Sequence, residues 1–208
     1  MNYGHAGRIV NILHLPPVDS AGEWRYRLLN EFRWKKDIHM KAIVVYESYW
    51  GNTAAVAKAI AEGLGADARA MNTDEAAGEA LEGVGLIVAG SPIIAFSLPT
   101  AKMRSDMAAK PHKEAPAPPD LSHPLLRTWL EGLPQAGAGA RAAAFETGFK
   151  LSPGGSAAKI LKMLEEKGYQ PAAKKQRFIV KGSFGPVKEG EIERAKAWGA
   201  ELAKSAGK

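Results

Sequence analysis

The chain has 208 residues, 46% of them hydrophobic and 24% charged, with a formal net charge of +6. This length fits one globular domain with extra sequence and a sizeable core, while the absence of Cys excludes disulfides, thiolate nucleophiles and thiolate-held metals. The basic residues are scattered without an aromatic-interleaved stripe, and no apolar run approaches membrane-spanning length, so we expect neither a nucleic-acid partner nor a membrane partner.

Residues 1–39 differ in character from the rest of the chain. They contain a Pro pair, and the segment EWRYRLLNEFRWKK can form an amphipathic helix. Met40 then comes immediately before a strong strand. Two interpretations stay open: Met40 is the true start, or residues 1–39 carry a short docking helix. The folded domain is expected to span residues 40–208.

From Met40 onward, strands and helices alternate. KAIVVYE holds an unbroken apolar run over residues 42–46, which is typical of a parallel strand covered on both faces. Residues 53–64 predict a helix and DARAM predicts a weak strand. Residues 73–83 predict a short helix with Thr73 as a candidate N-cap. VGLIVAGS, residues 84–91, predicts a second strong strand.

The second half continues the alternation. A helix is expected after Pro99, and the Pro-rich residues 111–124 predict an exposed excursion. Residues 125–133, 154–168 and 188–206 predict helices, whereas RAAAFET and QRFIVKGS predict strands. Counting the weak one, five strands alternate with helices, which indicates an α/β fold with a doubly wound parallel sheet and helices on both faces.

Ligands of open α/β sheets bind beyond the carboxyl ends of the strands, at a topological switch point. In the strand order 2-1-3-4-5 the switch lies between strands 1 and 3, where the loops 47–53, 91–99 and 146–154 converge. The first loop enters a helix N-terminus, whose free N–H groups favour an anion. Ser48 and Thr53 can add hydroxyl donors, and Gly51 lets the backbone wrap closely. The loop predicts a phosphate site, although Thr53 alone can instead be a helix cap.

Three stretches resemble the flavodoxin family. SYWGNT is similar to its S/T-x-T-G-x-T phosphate loop, LIVAGSPIIAFSLP to its third strand and first flavin-flanking loop, and AAFETGF to its fourth strand and second flavin loop. The C-terminal RFIVKGSFGPVKEGEIERAKAWGAEL resembles the ending of a bacterial flavodoxin-domain group. The resemblance covers about residues 40–202 and is specific at the phosphate loop. It implies a flavodoxin-like fold and FMN bound without covalent attachment.

The resemblance also implies which residues contact FMN. The phosphate loop is Ser48, Tyr49, Trp50, Gly51, Asn52 and Thr53, in which Trp50 stands where the family usually has Thr, so that its indole stacks or shields instead. One side of the ring would be bordered by Ser91, Pro92, Ile93, Ile94, Ala95 and Phe96, and the other by Thr147, Gly148, Phe149 and Lys150.

Several side chains of these loops leave alternatives open. Lys150 is either a cation beside the ring or a solvent-facing residue, and Phe96 and Phe149 either stack on the ring or belong to the core. The loop SPIIAFSLP contains no glycine, so we expect its peptides to resist flipping to positive φ. Glu47 is expected to accept hydrogen bonds from N–H groups across its loop. No metal site and no catalytic residue is predicted.

The first functional hypothesis is an FMN-binding redox protein of the cytoplasm. It would act in electron transfer or as a small flavin-dependent reductase, with a redox partner protein or a small acceptor such as a quinone. The alternatives are a flavodoxin-fold binding or regulatory module that does not hold FMN, favoured by Trp50 and the Ile93–Ile94 pair, and a non-redox binder of a phosphate ligand. The sequence does not determine the oligomeric state.

Overall fold

A computed structural model describes residues 41–110 and 112–206. The two interpretations of residues 1–39 lie outside the described residues. Within the described ranges, no helix is both long enough and apolar enough to cross a membrane.

Strands and helices follow one another largely as the sequence predicts. The strands are β1 (Lys41–Tyr46), β2 (Ala68–Asn72), β3 (Val84–Pro92), β4 (Arg141–Gly148), β5 (Gln170–Pro171) and β6 (Gln176–Ile179). The helices are α1 (Asn52–Leu64), α2 (Thr73–Ala77), α3 (Ala101–Ala109), α4 (Leu126–Gly132), α5 (Ser156–Glu166) and α6 (Glu191–Ala206).

The strands form one parallel sheet in the order β2-β1-β3-β4-β5, which confirms the predicted order. The fifth position differs from the prediction because two strands share it. β5 pairs with the start of β4, and β6 pairs with β4 at residues 145–148. The N–H groups of Gln170 and Ala172 donate to the carbonyls of Ala140 and Ala142 at 3.0 and 2.7 Å, and β6 then pairs with β4 from Gln176 onward.

The sheet is buried on both faces, as its apolar runs predict. Val44, Val88 and Phe145 face the layer that contains α1 and α6, where Trp198 is also buried. Ile43 and other alternate residues of the strands face the opposite layer, which contains α5 and α4. The carboxyl ends of the central strands therefore lie along one fixed edge.

The cap of α2 is one residue away from the predicted Thr73. The Asn72 side chain accepts hydrogen bonds from the N–H groups of Asp74 and Glu75, both at 2.9 Å, and completes a capping box. Thr73 instead donates its hydroxyl to the Pro124 carbonyl at 2.6 Å. Thr73 thus ties α2 to the end of the Pro-rich excursion, and the helix ends at Ala77, earlier than predicted.

Helices α1 and α6 cross at unusually short range because each contributes a glycine. A Cβ added to Gly63 would lie 2.0 Å from the Lys196 carbonyl oxygen, and one added to Gly199 would lie 2.2 Å from that of Ile60. Neither position has room for a side chain unless the helices separate. The helix that follows the predicted phosphate loop is therefore held tightly against the C-terminal helix.

Candidate functional site

A cavity of about 240 Å³ opens at the carboxyl end of the sheet. All three loops that the sequence expects to converge contribute to its wall. The predicted residues that line it are Ser48, Tyr49, Trp50, Asn52, Thr53, Pro92, Ile93, Ile94, Ala95, Thr147, Gly148 and Phe149.

The other predicted site residues lie outside this wall. Gly51 is the N-cap of α1, has a φ of 82° and lines a smaller neighbouring cavity. Its backbone N–H remains available as a donor. Ser91 is fully buried and donates its hydroxyl to the Pro92 carbonyl at 3.0 Å. Phe96 is 60% exposed, and Lys150 is exposed to solvent.

The loop before α1 is rich in donors without acceptors. Among the described residues, none of the backbone N–H groups from Ser48 to Ala54 has a hydrogen-bond acceptor. The Ser48 Oγ is buried and also lacks a partner there. Unpaired N–H groups at a helix N-terminus, together with a buried hydroxyl that lacks a partner, fit an anion such as a phosphate.

Thr53 does not cap α1, because the N-cap is Gly51 and no side-chain cap bond is present. The Thr53 hydroxyl is buried and lies 2.8 Å from the hydroxyl of Thr147. This bond links the start of α1 to the end of β4. Asn52 also makes a structural contact, since its side-chain amide donates to the Phe184 carbonyl at 2.8 Å.

Trp50 fastens two other segments to the loop before α1. Its indole N–H donates to the Ala117 carbonyl at 3.0 Å, and its ring meets Phe184 edge-on at 4.9 Å between centroids. The Phe184 ring in turn lies against the His112 ring, with 5.3 Å between their centroids. The indole therefore forms part of the cavity wall.

A fourth loop, the end of α3 and part of the excursion also line the cavity, and none of their residues was among the predicted site residues. These additional lining residues are Val180, Gly182, Ser183, Phe184, Met107, Lys110, His112 and Pro119. The Pro-rich excursion is exposed as predicted, yet the Asp120 N–H donates to the Tyr49 carbonyl at 2.8 Å and draws it across the phosphate loop. Of these additional contributions to the wall, the sequence had indicated only an excursion over residues 111–124.

The first ring-side loop contains a tight turn. Ile94 and Ser97 exchange two backbone hydrogen bonds, at 3.1 and 2.9 Å, around Ala95 and Phe96. These two residues have φ values of 45° and 61°. Such turns normally use Asn and Gly, because other residues are strained at positive φ. The glycine-free loop thus holds positive φ without the residue that favours it.

The second ring-side loop is held by an ion pair between a buried carboxylate and a partly exposed guanidinium. Glu146, 3% exposed, lies 2.8 Å from the Arg177 guanidinium through its Oε1. Its Oε2 accepts from the N–H groups of Gly155 at 3.2 Å and Ala157 at 3.0 Å, at the start of α5. Arg177 also donates to the Ser152 carbonyl. The loop after β4 is therefore held from both ends.

Glu47 is an acceptor, but not of the N–H groups across its own loop that were expected. Its Oε2 accepts from the Leu126 N–H at 3.1 Å, and its Oε1 accepts from the Tyr49 hydroxyl at 2.6 Å. Burial raises the pKa of Glu47, although these two hydrogen bonds oppose the shift. Burial, followed by the nearby Glu47 charge, raises the pKa of Tyr49. The pair therefore joins the first loop to the start of α4.

The strand order, the helices on both faces and the cavity at the switch point define a flavodoxin-like fold. No family model matches the sequence, and no curated protein matches it either.

Solved structures show the same fold at low sequence identity. A flavodoxin from the domain Archaea is 21% identical with a TM-score of 0.53, over 80% of this chain and 99% of that one. Oxidised flavodoxin 2 from Bacillus cereus is 17% identical with a TM-score of 0.53, over 79% of this chain and 98% of that one. The Flv1 flavodiiron core from Synechocystis sp. PCC6803 is 16% identical with a TM-score of 0.53, and the match covers 88% of this chain but 40% of that one.

Proposed function

We propose that this protein binds FMN without covalent attachment and acts as a redox protein, either in electron transfer or as a small flavin-dependent reductase. The observation that carries the proposal is the set of unpaired donors before α1, above all the buried Ser48 hydroxyl, next to an open cavity. Bound FMN would supply the redox chemistry, and the protein would bind and orient it.

The residues have separate roles in this proposal. Ser48 and the free amides up to Ala54 would hold the phosphate, supported by the α1 dipole. The largely apolar wall from Pro92 to Ala95 and the loop after Thr147 would flank the ring. No carboxylate appears among the described residues that line the cavity, whereas Lys110 does, so the local charge favours an anionic ligand.

A module that does not hold FMN is less well supported. Trp50 favours that alternative only if its indole occupies the ligand's place. Its N–H is instead bonded to Ala117 and its ring packs on Phe184, beside a cavity that stays open. The proposed partner is a redox protein or a small acceptor such as a quinone, and the proposed compartment is the cytoplasm.

Titration of the purified protein into FMN, followed by flavin fluorescence, tests the proposal. We expect quenching, and a Kd for FMN roughly tenfold or more below that for riboflavin, since riboflavin lacks the phosphate and 1.4 kcal/mol corresponds to a factor of ten. Equal affinity for both flavins, or no quenching by either, would contradict the assigned phosphate site. NAD(P)H oxidation with a quinone acceptor then separates a reductase from a carrier.

A further inference from the structure

Three large apolar side chains are exposed on the two ring-side loops of the cavity. Phe96 is 60% exposed, Phe149 is 44% exposed and Leu151 is 85% exposed. Phe149 lines the cavity, and the Phe96 carbonyl packs against Gly155 in the loop that carries Phe149 and Leu151. We call these three residues the exposed rim. Exposed large apolar side chains on neighbouring loops beside a cavity favour an interaction surface.

The exposed rim is accompanied by lysines. Lys150 lies between Phe149 and Leu151 in the chain, Lys181 lies between two cavity-lining residues, and Lys110 itself lines the cavity. All three lysines are exposed, and none forms an ion pair with any other residue that the structure describes. The rim therefore combines apolar contact area with uncompensated positive charge.

We propose that the exposed rim is a docking surface for an acidic partner protein, whose carboxylates meet Lys150 and Lys181 while an apolar patch covers Phe149 and Leu151. Opposite charges would speed and orient the encounter, and the small apolar centre fits a transient complex. The inference goes beyond the proposed function, because it depends on the protein surface and stands with or without FMN.

Charge argues against two other occupants. In a symmetric pairing of two copies, the same patch faces itself, so the rim lysines of the two copies would lie near one another and repel. Residues 1–40 contain more Lys and Arg than Asp and Glu, so the chain's own N-terminal segment has the wrong sign as well. An acidic partner is the occupant whose charge matches.

The test uses one probe protein in two charge states: native cytochrome c, which is basic, and its succinylated form, which is acidic. The full-length chain, labelled with ¹⁵N and free of flavin, is titrated with each form and followed by NMR. We expect the amide signals of Phe149, Lys150, Leu151 and Lys181 to shift with the succinylated form alone, and the shifts to disappear at about 0.5 M salt.

Charge-reversal variants make the test specific. Lys150→Glu combined with Lys181→Glu should weaken binding of the succinylated form roughly tenfold or more, whereas Lys58→Glu, an exposed lysine on α1, should leave it unchanged. Leu151→Ser should weaken binding without changing its salt dependence. Equal binding of both forms, shifts away from the rim, an equal effect of Lys58→Glu, or no binding would each overturn the proposal. Docking in a chain that fails to quench FMN would leave this inference standing and refute the proposed function.

Discussion

Replacement of Ser48 by Ala should move two measured quantities in opposite directions. In the flavin-free chain the Ser48 Oγ is buried and has no partner among the described residues. A buried hydroxyl without a partner costs about 1–3 kcal/mol, so Ser48→Ala should raise the free energy of unfolding by about 1 kcal/mol. For a chain of this size, that corresponds to an increase in Tm of about 2–4 °C.

The same substitution should weaken FMN binding. A hydrogen bond to a charged group contributes about 1.5–3 kcal/mol, so the Kd for FMN should rise by a factor of roughly 10 to 100. Urea unfolding followed by Trp fluorescence measures the stability, and quenching of flavin fluorescence measures the affinity. The opposite signs matter, because a general loss of structure would lower both stability and affinity.

Ser156→Ala is the matched control for this prediction. The Ser156 hydroxyl is also buried without a partner, but Ser156 is not among the residues that line the cavity. This variant should gain similar stability and keep the FMN affinity of the wild type. The reasoning fails if Ser48→Ala destabilises the flavin-free chain, or if the two variants bind FMN equally well.

Three further substitutions test other parts of the site. Burial raises the pKa of Glu47 above 4.5, so the folded chain binds this proton more tightly than the unfolded chain does. The free energy of unfolding should therefore fall as the pH rises above 4.5. Glu47→Gln should flatten this dependence of the unfolding free energy on pH, measured by urea titrations at several pH values. Trp50→Phe loses the indole hydrogen bond to the Ala117 carbonyl, so it should lower the free energy of unfolding by about 1 kcal/mol and speed limited proteolysis within residues 112–120. Trp129→Phe is the control, because the Trp129 indole makes no such bond among the described residues, and it should leave the cleavage rate unchanged. Ala95→Gly should stabilise the chain by about 0.5–1 kcal/mol, because relief of about 1–2 kcal/mol of strain at positive φ exceeds the added entropy of the unfolded chain. Ala197→Gly, on the exposed face of α6, is the control and should destabilise the chain by a similar amount. A loss of stability in Ala95→Gly would show that the turn is not strained.

Much of the fold follows from local sequence features. Apolar runs such as residues 42–46 predict buried parallel strands, and their alternation with helices predicts a doubly wound parallel sheet. The edge where the loops converge follows once the strand order 2-1-3-4-5 is taken. The errors are of two kinds. The N-cap of α2 was predicted at Thr73, one residue too late, because neighbouring polar side chains compete for the same N–H groups. The split fifth position was missed because its strands are short and one consists of two residues.

The site was predictable where it depends on the ends of strands and less so where it depends on distant segments. Phe184 reaches the cavity through contacts with Trp50 and Asn52, which are far away in sequence. Likewise, the excursion crosses the phosphate loop through a backbone bond between Asp120 and Tyr49, which requires no particular side chain. Contacts of this type leave little trace in a single sequence.

The close crossing of Gly63 and Gly199 gives the C-terminal helix an influence on the ligand end of the molecule. Helix α1 is held against α6 near its C-terminus, so a tilt there moves its N-terminus as well. The N-terminus of α1 carries the donors that we assign to the phosphate. A methyl group at either glycine would push α1 away from α6 and displace those donors from the phosphate. Ligand affinity would then be tuned from the back of the domain, at a place that no ligand touches.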